Sequence, residues 1–397
     1  MSGLDTPSPS GSGYSTSERT TFPGLANCHS HVFHRALRGR EVGGDTFWGW
    51  RDRMYAVAAV LDPDLLHDLA VATYAEMRLA GIGVVGEFHY LHHGPDGVAY
   101  DDPNATGEVL IAAAREVGLR ICLLDTCYLS SGFGGAPAGV QDRFSDGDAD
   151  DWAERVNDLA SRHVGADDVV VGAAIHSVRA VPADQLATVA SALPQAPLHV
   201  HVSEQPAENA DCLTATGRTP VALLAEAGVW TPRTTAVHAT HLTDADVATL
   251  GDASAYVCLC PTTEAELADG VGPSVRLREA GARLTLGSDS NTVIDLFAEA
   301  RAVEMHERLV TGTRGAWDAA ALGEAATRSG YASLGFAPEL ADADAVTLRD
   351  SVRLGGVVEP LWVATAADVE PPKALPYEAE DVAAMMRRAV SAVWERV

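Results

Sequence analysis

Residues 169–177 read Val-Val-Val-Gly-Ala-Ala-Ile-His-Ser, a run apolar on both faces that ends in an imidazole. A strand wet on one side alternates polar with apolar residues. One without alternation is covered on both sides, as parallel strands between helices are. The run at 282–291, Ala-Arg-Leu-Thr-Leu-Gly-Ser-Asp-Ser-Asn, reads the same way and ends in a carboxylate. Working outward, further β-rich runs stand at 24–32, 83–92, 119–127, 198–204, 234–241 and 255–261, making eight with the two above. Helical stretches rich in alanine separate them at 62–80, 104–117, 150–163, 182–192, 220–227, 244–250 and 273–280, and another follows at 293–309. Eight βα units within about 270 residues predict an α/β fold of the (β/α)8 TIM-barrel type. A doubly wound sheet is the competitor, but the first βα junction, HSHVFHRALRG at 29–39, lacks its glycine fingerprint.

Three segments flank the barrel, which spans 22–334. Residues 1–21 are rich in Ser, Gly, Thr and Pro and read as a disordered tail. Residues 319–330 read as one more helix on the barrel, and 335–370 as a few antiparallel strands outside it. Residues 378–397 carry apolar side chains at helical spacing. Together 335–397 make a small β appendage and a C-terminal helix.

Composition excludes several kinds of partner. Of the 397 residues, 55 are acidic and 28 basic, a net charge of -27. Such a chain repels phosphate backbones and anionic membrane surfaces. No apolar run approaches a membrane span, and the start lacks the pattern of a signal peptide, so the reading is a soluble, cytoplasmic protein. Its six cysteines form no CxxC pair. The only lysine is Lys373. That argues against a phosphate-binding P-loop and a lysine Schiff base, and it excludes a carboxylated lysine bridging two metals, which favours a single ion.

In a barrel the site lies at the C-terminal strand ends. The first strand ends in His29-Ser30-His31, and residues two apart project to one side. The fifth carries His199 and His201, with Glu204 beyond. The sixth ends in His238 and His241, and the eighth in Asp289. Nitrogen and carboxylate donors without thiolate suit zinc, with iron, manganese or cobalt as alternatives. Glu204, past its strand, is placed for proton transfer. Arg179 in so acidic a chain seeks a carboxylate partner, either in a ligand or in a loop aspartate. Tyr90 is expected to face the ligand, whereas His89, His92 and His93 exceed what one metal needs. Phe47-Trp48-Gly49-Trp50-Arg51 either forms a lid or packs on the outer helices. Cys258 and Cys260 read as inert core residues.

The set His29-x-His31, His201-x-x-Glu204, His238 and Asp289 resembles the metal-dependent amidohydrolase superfamily, in its mononuclear deaminase branch. The stretches PGLANCHSHVFHRALRG, FWGWRDRMY, GEFHYLHH, HVHVSEQ, VHATH, PTTEAELADG and GSDSN are similar to the formimidoylglutamate deiminase family within it. The resemblance spans roughly residues 22 to 340. It implies zinc on His29, His31, His201 and Asp289, with proton transfer and polarisation by Glu204, His238 and Asp289. Tyr90, His176 and Arg179 would hold a glutamate moiety, and Arg51 one carboxylate. His34 stands where the family often has Gln and is a further ligand contact. The implied reaction is hydrolysis of N-formimidoyl-L-glutamate to N-formyl-L-glutamate and ammonia. The alternatives are a deaminase for a heterocyclic base or nucleoside, amide or lactam hydrolysis on the same scaffold, and an idle barrel that only binds. A homodimer is expected because the long first loop needs cover. Superfamily members usually begin with strands that complete a small sandwich. Only the polar tail precedes the barrel here, so an incomplete sandwich is expected.

Overall fold

Eight strands pair in parallel and in chain order, as the βα repeat requires. The computed structural model describes residues 20–40, 47–353 and 359–397. The barrel strands are β2 (Leu25–Ser30), β3 (Ile82–His89), β4 (Arg120–Cys127), β5 (Val169–Ile175), β6 (Leu198–Val202), β7 (Thr234–His238), β8 (Tyr256–Leu259) and β9 (Arg283–Leu286). Outside the barrel, β1 (Thr20–Phe22) pairs antiparallel with β10 (Val346–Leu348). The intervening helices start where local chemistry directs. Asp62, Asp148, Asp295 and Asp318 each accept a backbone N–H of the first helical turn.

The ring closes where β2 meets the end of β9. Ser30 bridges Asp289 in parallel pairing. The Asp289 N–H donates to His29 O at 2.9 Å, and the His31 N–H donates to Asp289 O at 3.0 Å. A side-chain lattice locks this seam. Asn27 donates to Ser288 Oγ (2.7 Å) and accepts the Ser288 N–H (2.8 Å), and Asn291 donates to Ser30 Oγ (3.0 Å) and to His31 O (3.1 Å). Gly287 lets the two strands approach: a Cβ there would lie 2.7 Å from His29 Cβ and 2.8 Å from its carbonyl oxygen.

The strands stop short of several expected ends. Ser203, His238, Ala239, Asp289 and Asn291 adopt left-handed backbone, with φ between 47° and 66°. Asp, Asn and His tolerate this conformation better than most residues, and here it turns side chains out of the pleat at the barrel mouth.

The periphery departs from the sequence expectation. Thr20 and Thr21, expected in the tail, are strand residues, whereas residues 1–19 lie outside the described ones. The helix expected at 319–330 is two helices, Ala319–Ala326 and Arg328–Ser333, broken at Thr327. Among the described residues, 335–370 contain one strand, β10. Pro360 opens a short helix (Pro360–Val363), and Thr365 caps a 3-10 turn, so the apolar run there is not extended. Among the described residues the sandwich consists of two short strands, β1 and β10. The C-terminal helix, Ala379–Trp394, is tied down by Trp394, whose indole N–H donates to Ala36 O at 2.8 Å. Among the described residues no helix is long and apolar enough to cross a membrane.

Candidate metal centre

Three imidazoles and one carboxylate converge at the seam. His29 comes from β2, His31 from just past its end, His201 from β6, and Asp289 from just past β9. His29 Nε2 faces His201 Nε2 at 3.0 Å, and Asp289 Oδ1 lies 3.4 Å from the Nε2 of both His29 and His31. Main-chain carbonyls set the rings. His31 Nδ1 donates to Phe88 O at 3.0 Å, and His201 Nδ1 to His176 O at 2.9 Å. A carbonyl only accepts, so each proton sits on Nδ1 and each Nε2 lone pair points to the centre. Burial first, then neighbouring imidazoles, keeps His29 and His201 well below the usual histidine range. Burial lowers His31 too, against the pull of Asp289. Burial would raise Asp289, but the charge of His238, the largest opposing influence, outweighs it and holds the carboxylate ionised. Neutral imidazoles converging on an ionised carboxylate in a buried site are a donor set for one divalent cation. In chemistry the set fits a divalent metal ion.

Glu204 and His238 flank these donors. Glu204 Oε1 lies 3.8 Å from His238 Nε2, which is 3.9 Å from Asp289 Oδ2. Burial raises the Glu204 carboxyl above its ordinary value, with His238 opposing and Asp289 adding to the rise. For His238, burial lowers the pKa, but Glu204, Glu264 and Asp289 overcome it and hold the ring protonated.

Glu264, not singled out from the sequence, stands behind His238. Its Oε1 is 3.4 Å from His238 Nδ1 and accepts the Cys260 N–H at 2.8 Å. The available signal was Pro261-Thr-Thr-Glu264 directly after a strand, which starts a helix at the mouth and turns its fourth residue inward. Glu87 was missed as well. It accepts Val32 N–H (2.7 Å) and Ser30 Oγ–H (2.8 Å), supporting the HxH turn, and burial pushes its carboxyl up to about 8. Cys258 and Cys260 are buried free thiols.

A cleft opens above the donors, and His31, His201 and Asp289 form its floor. Every other residue singled out as a ligand contact lines it: His34, Arg51, Tyr90, His176 and Arg179, together with Glu204 and His238. His34 Nε2 meets Tyr90 OH at 3.0 Å, and its ring stands edge-on to Trp50, which also lines the cleft. Phe47 and Trp48 belong to the same segment, but their side chains lie outside the described ones. Arg179 Nε is buried with no acceptor among the described residues, although Glu204 and Glu208 feel its charge. The remaining histidines are bound elsewhere. His89 meets Thr106, His92 meets Thr126 O, His93 pairs with Asp146, and His241 donates to Asp269 O. His199 is fully buried.

This barrel, with its histidine–aspartate centre at the strand mouth, defines a class. Residues 20–342 match the Amidohydrolase family, and the chain belongs to it. Over 293 residues it is 39% identical to the formimidoylglutamate deiminase of Pseudomonas aeruginosa, covering 72% of this chain and 64% of that protein. The 5-methylthioadenosine/S-adenosylhomocysteine deaminase of Teredinibacter turnerae is 27% identical over 80% of this chain and 67% of its own length. A solved amidohydrolase from Brucella melitensis superposes with a TM-score of 0.85 at 31% identity, over 94% of this chain and 90% of that one.

Proposed function

We propose that this protein hydrolyses N-formimidoyl-L-glutamate to N-formyl-L-glutamate and ammonia, using one zinc ion, as a cytoplasmic homodimer. The observation that carries the reading is a cleft joining the His31, His201 and Asp289 donors and Glu204 to a guanidinium, Arg179, that has no ion pair among the described residues. A bound divalent cation supplies Lewis acidity and brings a water's pKa towards roughly 7. Asp289 is the base that takes a proton from the attacking water. Glu204, its carboxyl raised by burial, protonates the imino nitrogen and makes the carbon electrophilic. Once the C–O bond has formed, the proton held by Asp289 passes to the same nitrogen, the C–N bond breaks and ammonia leaves. The remaining hydroxyl proton returns to Glu204 as the formyl carbonyl forms. His238, held protonated, donates a hydrogen bond to the oxygen that becomes the formyl carbonyl. Glu264 orients that ring. Arg179 pairs with a substrate carboxylate, Arg51 takes the other, and Tyr90, His176 and His34 shape the pocket around the chain. The Pseudomonas relative supports this substrate. A cation in the wall of the cleft favours an acyclic acid over the heterocycle of a base deaminase.

The deciding experiment measures ammonia release by metal-replete protein from N-formimidoyl-L-glutamate, N-formimidoyl-L-aspartate, 5-methylthioadenosine and guanine. The expected result is turnover of the first compound, loss of activity after chelation and recovery with zinc. Preferential turnover of a heterocycle overturns the substrate, and absence of bound metal overturns the chemistry. Arg179→Gln is expected to raise KM roughly 10- to 100-fold with a much smaller change in kcat, the effect of losing a charge-assisted contact made equally in ground and transition states. Steady-state kinetics on the two formimidoyl substrates checks this.

A further inference from the structure

A second cavity of about 540 Å³ lies beside the catalytic cleft, within the size range of small-molecule sites. Its walls are mainly apolar, with Leu129, Phe133, Val178, Val181 and Leu223 the larger contributors. Among the described residues only Ser130, Gly132 and Arg179 line both cavities, so the partition they form is one turn of backbone and one guanidinium. That turn is closed on itself. The Ser131 N–H donates to Gly135 O at 3.0 Å, Ser130 Oγ donates to the same oxygen at 2.8 Å, and Gly135 N–H returns to Gly132 O at 3.2 Å. Gly134, with φ of 83°, allows the reversal. The Leu129 N–H, donating to Ala180 O at 2.7 Å, fastens the turn to the segment carrying Arg179.

A cation in an apolar wall calls for an anion, and Arg179 makes no ion pair among the described residues and leaves its buried Nε without an acceptor. A fully hydrated anion would gain nothing from the apolar walls, and a neutral hydrocarbon would leave the guanidinium unmatched. We infer that the second cavity binds a carboxylate with a short apolar tail, its head on Arg179 and its tail among Leu129, Val181 and Leu223. Because the same guanidinium faces the catalytic cleft, this ligand and an anionic substrate exclude one another. The exclusion rests on the deiminase reading, whereas the binding does not.

Calorimetric titration of the full-length, metal-replete protein tests the site with acetate, butyrate, hexanoate and 1-hexanol. Affinity is expected to rise from acetate to hexanoate by about fourfold for each methylene that enters the cavity, with no detectable binding of hexanol. Ala183 and Ala215 line the cavity and are exposed, so Ala183→Trp and Ala215→Trp fill it without disturbing the core. Each is expected to weaken hexanoate at least tenfold with melting temperature unchanged. N-formimidoyl-L-glutamate is expected to displace hexanoate. Equal affinity for acetate and hexanoate, or undiminished hexanoate binding in both tryptophan variants, overturns the site. Binding is read without turnover, so failure of the deiminase reading leaves this test intact.

Discussion

Glu204→Gln is expected to lower ammonia release from N-formimidoyl-L-glutamate by about 10²–10⁴-fold at saturating substrate, with bound metal unchanged. The magnitude is that of a general acid–base group removed from a transition state. Glutamine keeps the shape and the hydrogen-bonding oxygen but carries no transferable proton. Glu204 is not among the converging donors of the metal centre, so the cation should stay. Its position supports the role: it lines the cleft beside His238, and burial holds its carboxyl protonated to higher pH than an exposed glutamate. Kinetics and elemental analysis on the same preparation decide the matter. Turnover close to wild type with full metal content would remove Glu204 from the proton path.

Gly287→Ala is expected to destabilise the fold and empty the metal centre together. The added methyl group would lie 2.7 Å from His29 Cβ, 2.8 Å from His29 O and 2.9 Å from His29 N. Backbone atoms paired in a strand cannot yield as a flexible side chain does, so β2 and the end of β9 must part. Overpacking of this kind costs about 1–3 kcal/mol. Parting the seam also breaks the bond from Asp289 N–H to His29 O and moves Asp289 away from His29 and His31. Melting temperature should drop by several degrees, and zinc per chain should fall well below one. Gly323→Ala is the control. A methyl group there meets only Phe22 at 3.9 Å within a helix, and the change should be neutral or mildly stabilising. A Gly287→Ala protein with wild-type melting and full metal would show that the seam tolerates separation.

Much of this molecule could be read without coordinates because the relevant properties are local. Unbroken apolar runs marked covered strands, alanine-rich stretches marked helices, and their alternation implied a parallel barrel in chain order. The side chains able to bind a cation are set by residue type alone, and their placement at strand ends followed from the strand assignments. The periphery was harder. The apolar run around Leu361 looked extended because apolar content does not separate a short helix from a strand, and Pro360 settled it locally. Glu264 escaped because its importance lies in what it touches, an imidazole 26 residues away.

Residue type and period alone therefore determined the barrel, the order of its strands and the chemistry gathered at its mouth. Only tertiary structure decided how the ring shuts, because Asn27 and Ser288 are 261 positions apart and nothing local in either announces the other. It also decided the left-handed backbone at His238 and Asp289. Non-glycine residues enter that conformation only where surrounding contacts compel it.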